Sequence, residues 1–191
     1  MIFVGLALTC LVGWLLLPSK IEGSALSRLS FSFAAGAAAI SLQMFAYDLA
    51  GIGWSRLSLL APWTIAFLWE LYRRRPLPRL GPWRDLRWPH GLSALGVLAP
   101  ILVWLPYERT MPLTSEAWDA WVIWLFKAKA FYLDGGVHPF LERSGEFVTQ
   151  PGYPLLIPLY GAFLYVWNGG VADQATKLTS PCFFLATLGV F

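Results

Sequence analysis

The sequence predicts an all-α protein: a polytopic transmembrane helix bundle that carries an external interfacial amphipathic helix. Three observations point there. Of the 191 residues, 57% are hydrophobic and 13% charged, against about 45–50% and about 25% in soluble globular domains. The apolar residues arrive in charge-free runs close to the roughly 20 residues a helix needs to cross a bilayer. One stretch, residues 108–148, breaks the pattern and gathers charge. A disordered chain is excluded by this composition, and an ordinary soluble enzyme is disfavoured.

The spans are read between the charges. Met1 to Ser19 is charge-free and lacks both a basic segment ahead of it and a small-residue cleavage site after it, so it reads as a retained helix. Leu29 to Tyr47 follows, bounded by Arg28 and Asp48. A shorter run covers 57–72 and includes Glu70; Trp88 to Tyr107 carries only His90. Residues 1–107 thus form about four spans, joined by the basic loop 73–87, which holds six of the 14 Lys and Arg residues. Loops of that kind stay cytoplasmic, which is a simpler account of the arginines than nucleic-acid binding. Residues 108–149 then form an external loop. Residues 150–191 supply two further spans, the last of which reads as truncated near Phe191.

Counting outward from the basic loop puts the turn Gly51–Arg56 outside and the loop around Lys177 inside. Trp54, Trp69, Trp83, Trp88, Trp104 and Trp167 fall near the ends of spans, where indole rings favour the interface. Cys10 and Cys182 lie inside apolar runs with no metal-binding spacing and read as small hydrophobic filler. Asp48 and Glu70 sit at span edges, where a carboxylate faces the interface.

The external stretch 108–148 holds six acidic and four basic residues, interleaved with Trp118, Trp121, Trp124, Phe126, Phe131 and Tyr132. Thr114 or Ser115 can cap a helix running from about Glu116 to Leu133, which Asp134-Gly135-Gly136 stops. Its four charges place it along the interface. Glu116 and Asp119, three apart, share a face, with Lys127 and Lys129 beyond them. A carboxylate pair flanked by ammonium groups suits chemistry on an anionic lipid headgroup. On spacing alone, a solvated helix whose charges merely face water is the simpler reading. Further on, Gln150-Pro-Gly-Tyr-Pro opens an apolar run in which Pro158 is expected to kink the helix interior. His138 reads as a surface residue of a loop.

The stretch Trp118-Asp119-Ala120-Trp121-Val-Ile-Trp124-Leu-Phe-Lys127-Ala-Lys129, then Gly135-Gly136, then Pro151-Gly-Tyr153-Pro154-Leu-Leu-Ile-Pro158, resembles GT-C-type membrane glycosyltransferases. The likeness is greatest to glycosyltransferase family 39, the bacterial relatives of protein O-mannosyltransferases. A short turn with a basic residue follows, Ala175-Thr-Lys177-Leu-Thr-Ser-Pro181. The resemblance covers roughly residues 108–191, which makes the chain the N-terminal part of such an enzyme and leaves the first 107 residues unexplained. It implies sugar transfer from a polyprenyl-phosphate-linked donor to a glycan, lipid or protein acceptor. The reaction would take place on the external, periplasmic side of a bacterial inner membrane, with membrane lipid as partner and no nucleic acid.

On that likeness Asp119 matches the acidic motif and is the expected catalytic base, or the group that orients the acceptor hydroxyl, with Glu116 beside it. Lys127, Lys129 and Arg109 would bind the phosphate. Tyr153 and Gln150 belong to the later motif as substrate-binding residues. Gln150 and Gly152 stand where many relatives carry His and Asp. A divalent cation, Mg2+ or Mn2+, is compatible with Glu116 and Asp119, although two carboxylates do not define a site. The rival expectation is a non-catalytic membrane subunit or transporter-like scaffold.

Overall fold

The computed structural model describes residues 1–18, 25–73, 123–143 and 152–188, and within them every regular element is helical. α1 (Ile2–Leu16) ends where Leu17 turns extended, at φ −75° and ψ 136°. Leu17 precedes Pro18, and a residue before proline is pushed out of the helical region. α2 (Ala25–Leu49) is the one described helix long and apolar enough to cross a membrane. Its end is turned by Gly51, at φ +66°, with the Ile52 N–H donating to Tyr47 O at 2.8 Å.

α3 (Arg56–Tyr72) opens with a capping box: Ser58 N–H donates to Ser55 Oγ at 3.0 Å and Ser55 N–H to Ser58 Oγ at 2.9 Å. Pro62 lies inside this helix and cannot donate to Ser58 O four residues back. The Tyr47 hydroxyl of α2 fills the gap, donating to Ser58 O at 3.2 Å, and the Gln43 amide donates to Leu59 O at 3.0 Å. A proline that would weaken α3 thus becomes the place where α2 docks on it.

α1 and α2 pack antiparallel at unusually close range. A Cβ on Gly13 would overlap the Ser32 carbonyl, and one on Gly36 would overlap the Thr9 carbonyl. Only glycine permits that approach, the device by which small residues let helix backbones meet where lipid removes the hydrophobic drive.

The remaining elements are α4 (Phe126–Asp134), α5 (His138–Glu142), α6 (Leu156–Asn168), α7 (Asp173–Thr176) and α8 (Thr179–Leu188). α6 is the centre of the fold: every residue from Pro158 to Trp167 is buried. Around it, Phe33 of α2 meets Tyr160 edge-on at 6.1 Å and Phe183 of α8 at 5.0 Å. Tyr132 of α4 meets Tyr165 at 5.8 Å. Pairs of this kind add about 0.5–1.5 kcal/mol each beyond their burial.

Several expectations need correction. Pro158 is the third residue of α6, in the first turn, where its missing N–H does no harm, so it does not kink the interior. The preceding Gly152-Tyr153-Pro154 is non-helical, which leaves α6 with 13 residues. At 1.5 Å per residue that is about 20 Å, short of the roughly 30 Å hydrocarbon layer. Trp167 is buried, and its indole N–H has no partner, so it is no interfacial anchor.

The end of α6 lies beside the start of α3. Arg56 Nε donates to Val166 O at 3.1 Å, and Asp48 accepts from the His138 N–H at 3.1 Å. The turn after α2, the α4–α5 junction and the end of α6 therefore gather at one end of the molecule. Counting spans had put residues 56 and 168 on opposite faces.

Candidate functional site

α4 is the described part of the helix expected from 116 to 133. It begins after a single wide turn at Ile123–Leu125 and stops at Gly135, which is left-handed at φ +69°. The predicted stop is therefore present. A Cβ on Gly136 would displace the Asp48 carboxylate, which holds α5 in place through the His138 N–H. His138 itself is exposed and paired with Glu142 across one turn at 3.2 Å.

The charges of α4 do not all face water as an interfacial amphipathic helix requires. Lys127 is completely buried together with Ala128 and Phe131. Its ammonium lies 5.6 Å from the Tyr153 ring centroid, and Tyr153 stacks on Trp124 at 5.7 Å. Burial pulls the Lys127 pKa below the ordinary lysine value. Lys129 is engaged elsewhere, with Nζ 3.1 Å from Asp173 Oδ2. The other Asp173 oxygen accepts from the Tyr165 hydroxyl at 2.5 Å. Of the expected substrate-binding residues, the structure thus brings Lys127 and Tyr153 together and gives Lys129 to Asp173. Asp119, Glu116, Arg109 and Gln150 lie outside the described residues.

The Lys129–Asp173 pair has a second consequence. It joins α4 to the segment leading to Lys177. A tight junction at Gly161 reinforces this, since a Cβ there would come 2.8 Å from Ala128 Cβ and 3.5 Å from Thr176 Cγ2.

Where α4, α6 and α8 meet, a cavity of about 500 Å³ opens. Its apolar wall is Trp124, Leu125, Ile157 and Phe183, with Ala128 and Gly161 at the small-residue junction. Its polar side is Thr176, Lys177, Thr179 and Ser180. Thr176 is satisfied within its own helix turn, donating to Ala172 O at 3.1 Å. Thr179 is 6% exposed and its hydroxyl has no hydrogen-bond partner. A volume of this size, mostly apolar with a few convergent polar groups, is what small-molecule sites look like.

Sequence reasoning singled out the segment 175–181 for its lysine but did not see the hydroxyls as a group. The signal was there: three hydroxyl residues around one lysine, at the head of an apolar run. Among the described residues no three His, Cys, Asp or Glu side chains cluster as metal ligands. The pair proposed for a divalent cation, Glu116 and Asp119, lies outside them.

The fold and the cavity define an all-helical protein with room for a ligand beside its central helix. Comparison with protein-family models, curated proteins and solved structures finds no match.

Proposed function

We propose that the chain belongs to a membrane glycosyltransferase that moves a sugar from a polyprenyl-phosphate-linked donor to an acceptor on the external face. The observation that carries this reading is the cavity of about 500 Å³ directly beside α4, the helix that continues the Trp118–Lys129 motif. Its wall of Trp124, Leu125, Ile157 and Phe183 suits an isoprenoid chain. Tyr153 of the second motif stacks on Trp124 of that same wall.

A membrane setting is supported by α2 and by the apolar side chains that α1, α2 and α3 turn outward. These include Phe3, Leu42, Leu57, Ile65 and Leu68. In water such a surface would be an aggregation hazard; in lipid it is the expected exterior.

In this mechanism Asp119 takes the proton of the acceptor hydroxyl, or orients it, as the hydroxyl oxygen attacks the sugar's anomeric carbon. The bond from that carbon to the lipid phosphate breaks, and the phosphate leaves with the electron pair. Buried Lys127 adds positive potential on α4. The test is lipid-linked sugar transfer by the full-length gene product with Asp119→Asn. Loss of turnover at normal membrane levels is expected, and unchanged turnover would refute the base assignment.

A further inference from the structure

We infer that the end of α3, with Trp69, Tyr72 and Arg73, seats the phosphodiester headgroup of an anionic phospholipid. The inference goes beyond sugar transfer and rests on the membrane setting alone.

The outward face of α3 changes character along its last turns. Ile65 and Leu68 are exposed and aliphatic, Trp69 and Tyr72 are exposed and aromatic, and Arg73 follows as the exposed helix cap. These five are spaced three and four residues apart, so they share one side of the helix. Aliphatic, then aromatic, then cationic is the order a helix shows as it leaves a bilayer. The distances agree. At 1.5 Å per residue, Trp69 and Arg73 stand about 6 Å apart along the axis, and one headgroup layer is about 5–8 Å deep. An indole at the hydrocarbon edge therefore puts the guanidinium at the level of the phosphates.

The guanidinium is also held ready to donate. Its central carbon lies 4.7 Å from the Trp69 ring centroid, and Trp69 stacks on Tyr72 at 6.1 Å and 27°. Stacking occupies the flat face of the guanidinium and leaves its edge, the N–H fork that matches two phosphate oxygens. Among the described residues no carboxylate pairs with Arg73, and Glu70, on the preceding turn, makes its contact elsewhere.

The sequence adds charge of the same sign. Residues 73–87 carry six arginines against one aspartate, Asp85. An anionic surface complements that charge, and each basic residue near such a surface strengthens binding about fivefold. The aliphatic turns favour lipid over nucleic acid, which would leave Ile65 and Leu68 in water.

The test uses the full chain in neutral detergent at physiological ionic strength, read by native mass spectrometry. The titrants are dioctanoyl phosphatidylglycerol, dioctanoyl phosphatidylcholine, inorganic phosphate and a single-stranded DNA oligonucleotide. The wild type is expected to bind phosphatidylglycerol at least about fivefold more tightly than any of the others. Arg73→Gln should weaken that binding about fivefold. Arg73→Lys and Trp69→Ala keep the net charge, so a diffuse basic surface predicts no change in either. The stacked seat predicts a loss of about two- to fivefold in both. Both side chains are exposed, so thermal unfolding should stay put in all three variants, which separates lost lipid from lost fold.

Equal affinity for the two phospholipids would overturn the proposal, as would wild-type affinity in both Arg73→Lys and Trp69→Ala. DNA bound more tightly than phosphatidylglycerol would overturn it as well and give the arginines to nucleic acid.

Discussion

The Tyr160 hydroxyl donates to Thr9 Oγ across 2.9 Å, in the buried seam between α6 and α1. The direction follows from proton counting. A threonine hydroxyl has one hydrogen, and that of Thr9 already goes to Gly5 O at 2.9 Å. Tyr160 must therefore be the donor, and the two single deletions are unequal. Thr9→Val leaves the Tyr160 O–H buried with no acceptor and should cost about 1–2 kcal/mol. Tyr160→Phe leaves the Thr9 hydrogen bonded as before and should cost less, under about 1 kcal/mol. The double variant should recover part of the Thr9→Val loss. Denaturant titration of all three in detergent checks the order, and equal single losses would refute the donor assignment.

The α1–α2 seam gives a steeper prediction. A methyl group at Gly13 or Gly36 meets backbone carbonyls of the facing helix, which cannot rotate away as a side chain could. Gly13→Ala and Gly36→Ala should each destabilise by about 1–3 kcal/mol or more. Gly53→Ala, where a Cβ meets nothing within 4 Å, is the control and should stay within about 0.5 kcal/mol. Thermal unfolding of the three variants in the same detergent separates them; a control as damaged as the seam variants would refute the close-packing account.

Local signals in the sequence were mostly legible. The span at Leu29–Tyr47 became α2, Asp134-Gly135-Gly136 ended α4, and the run at 57–72 became α3 almost residue for residue. Those features depend on neighbours in the chain: a charge-free run, a left-handed glycine, a serine cap. What could not be read was which ends meet. Arg56 reaching Val166 and Lys129 reaching Asp173 are contacts across 110 and 44 residues, and no local periodicity encodes them. Nor did composition show that Lys127 would be buried. A lysine on an aromatic-rich helix looks the same in sequence whether it faces water or a tyrosine ring. The candidate site was least legible, because its expected carboxylates lie outside the described residues and its polar wall came from the end of α7, the turn at Lys177 and the start of α8.

Lys127 makes stability depend on alkaline pH. Burial disfavours the ammonium, so its folded pKa lies below the ordinary value of 10.5. Between the folded pKa and 10.5 the unfolded chain holds more protons than the folded one, and stability rises with pH. Below that window the burial cost is fully present; above it, the lysine is neutral in both states. Lys127→Met removes the titration. The wild type should therefore gain stability relative to Lys127→Met as pH rises from 7 toward 10.5. Parallel melting curves across that range would show that burial does not shift this amine.

The meeting of Arg56 with Val166 predicts a topology that span counting does not. If α2 crosses the membrane, the turn at Gly53 and the turn at Gly170 share a side, and Pro18, beyond the far end of α1, lies on the other. Six alternating spans would put Gly170 with Pro18 instead. Single cysteines decide between these, introduced as Gly53→Cys, Gly170→Cys and Pro18→Cys after Cys10 and Cys182 are replaced by alanine. Both glycine positions accept a side chain, since a Cβ at either meets nothing within 4 Å. In sealed vesicles of one orientation, an impermeant maleimide should label Gly53→Cys and Gly170→Cys from one side and Pro18→Cys only from the other. Labelling of Gly170→Cys together with Pro18→Cys would break the Arg56–Val166 junction and restore α6 as a full crossing.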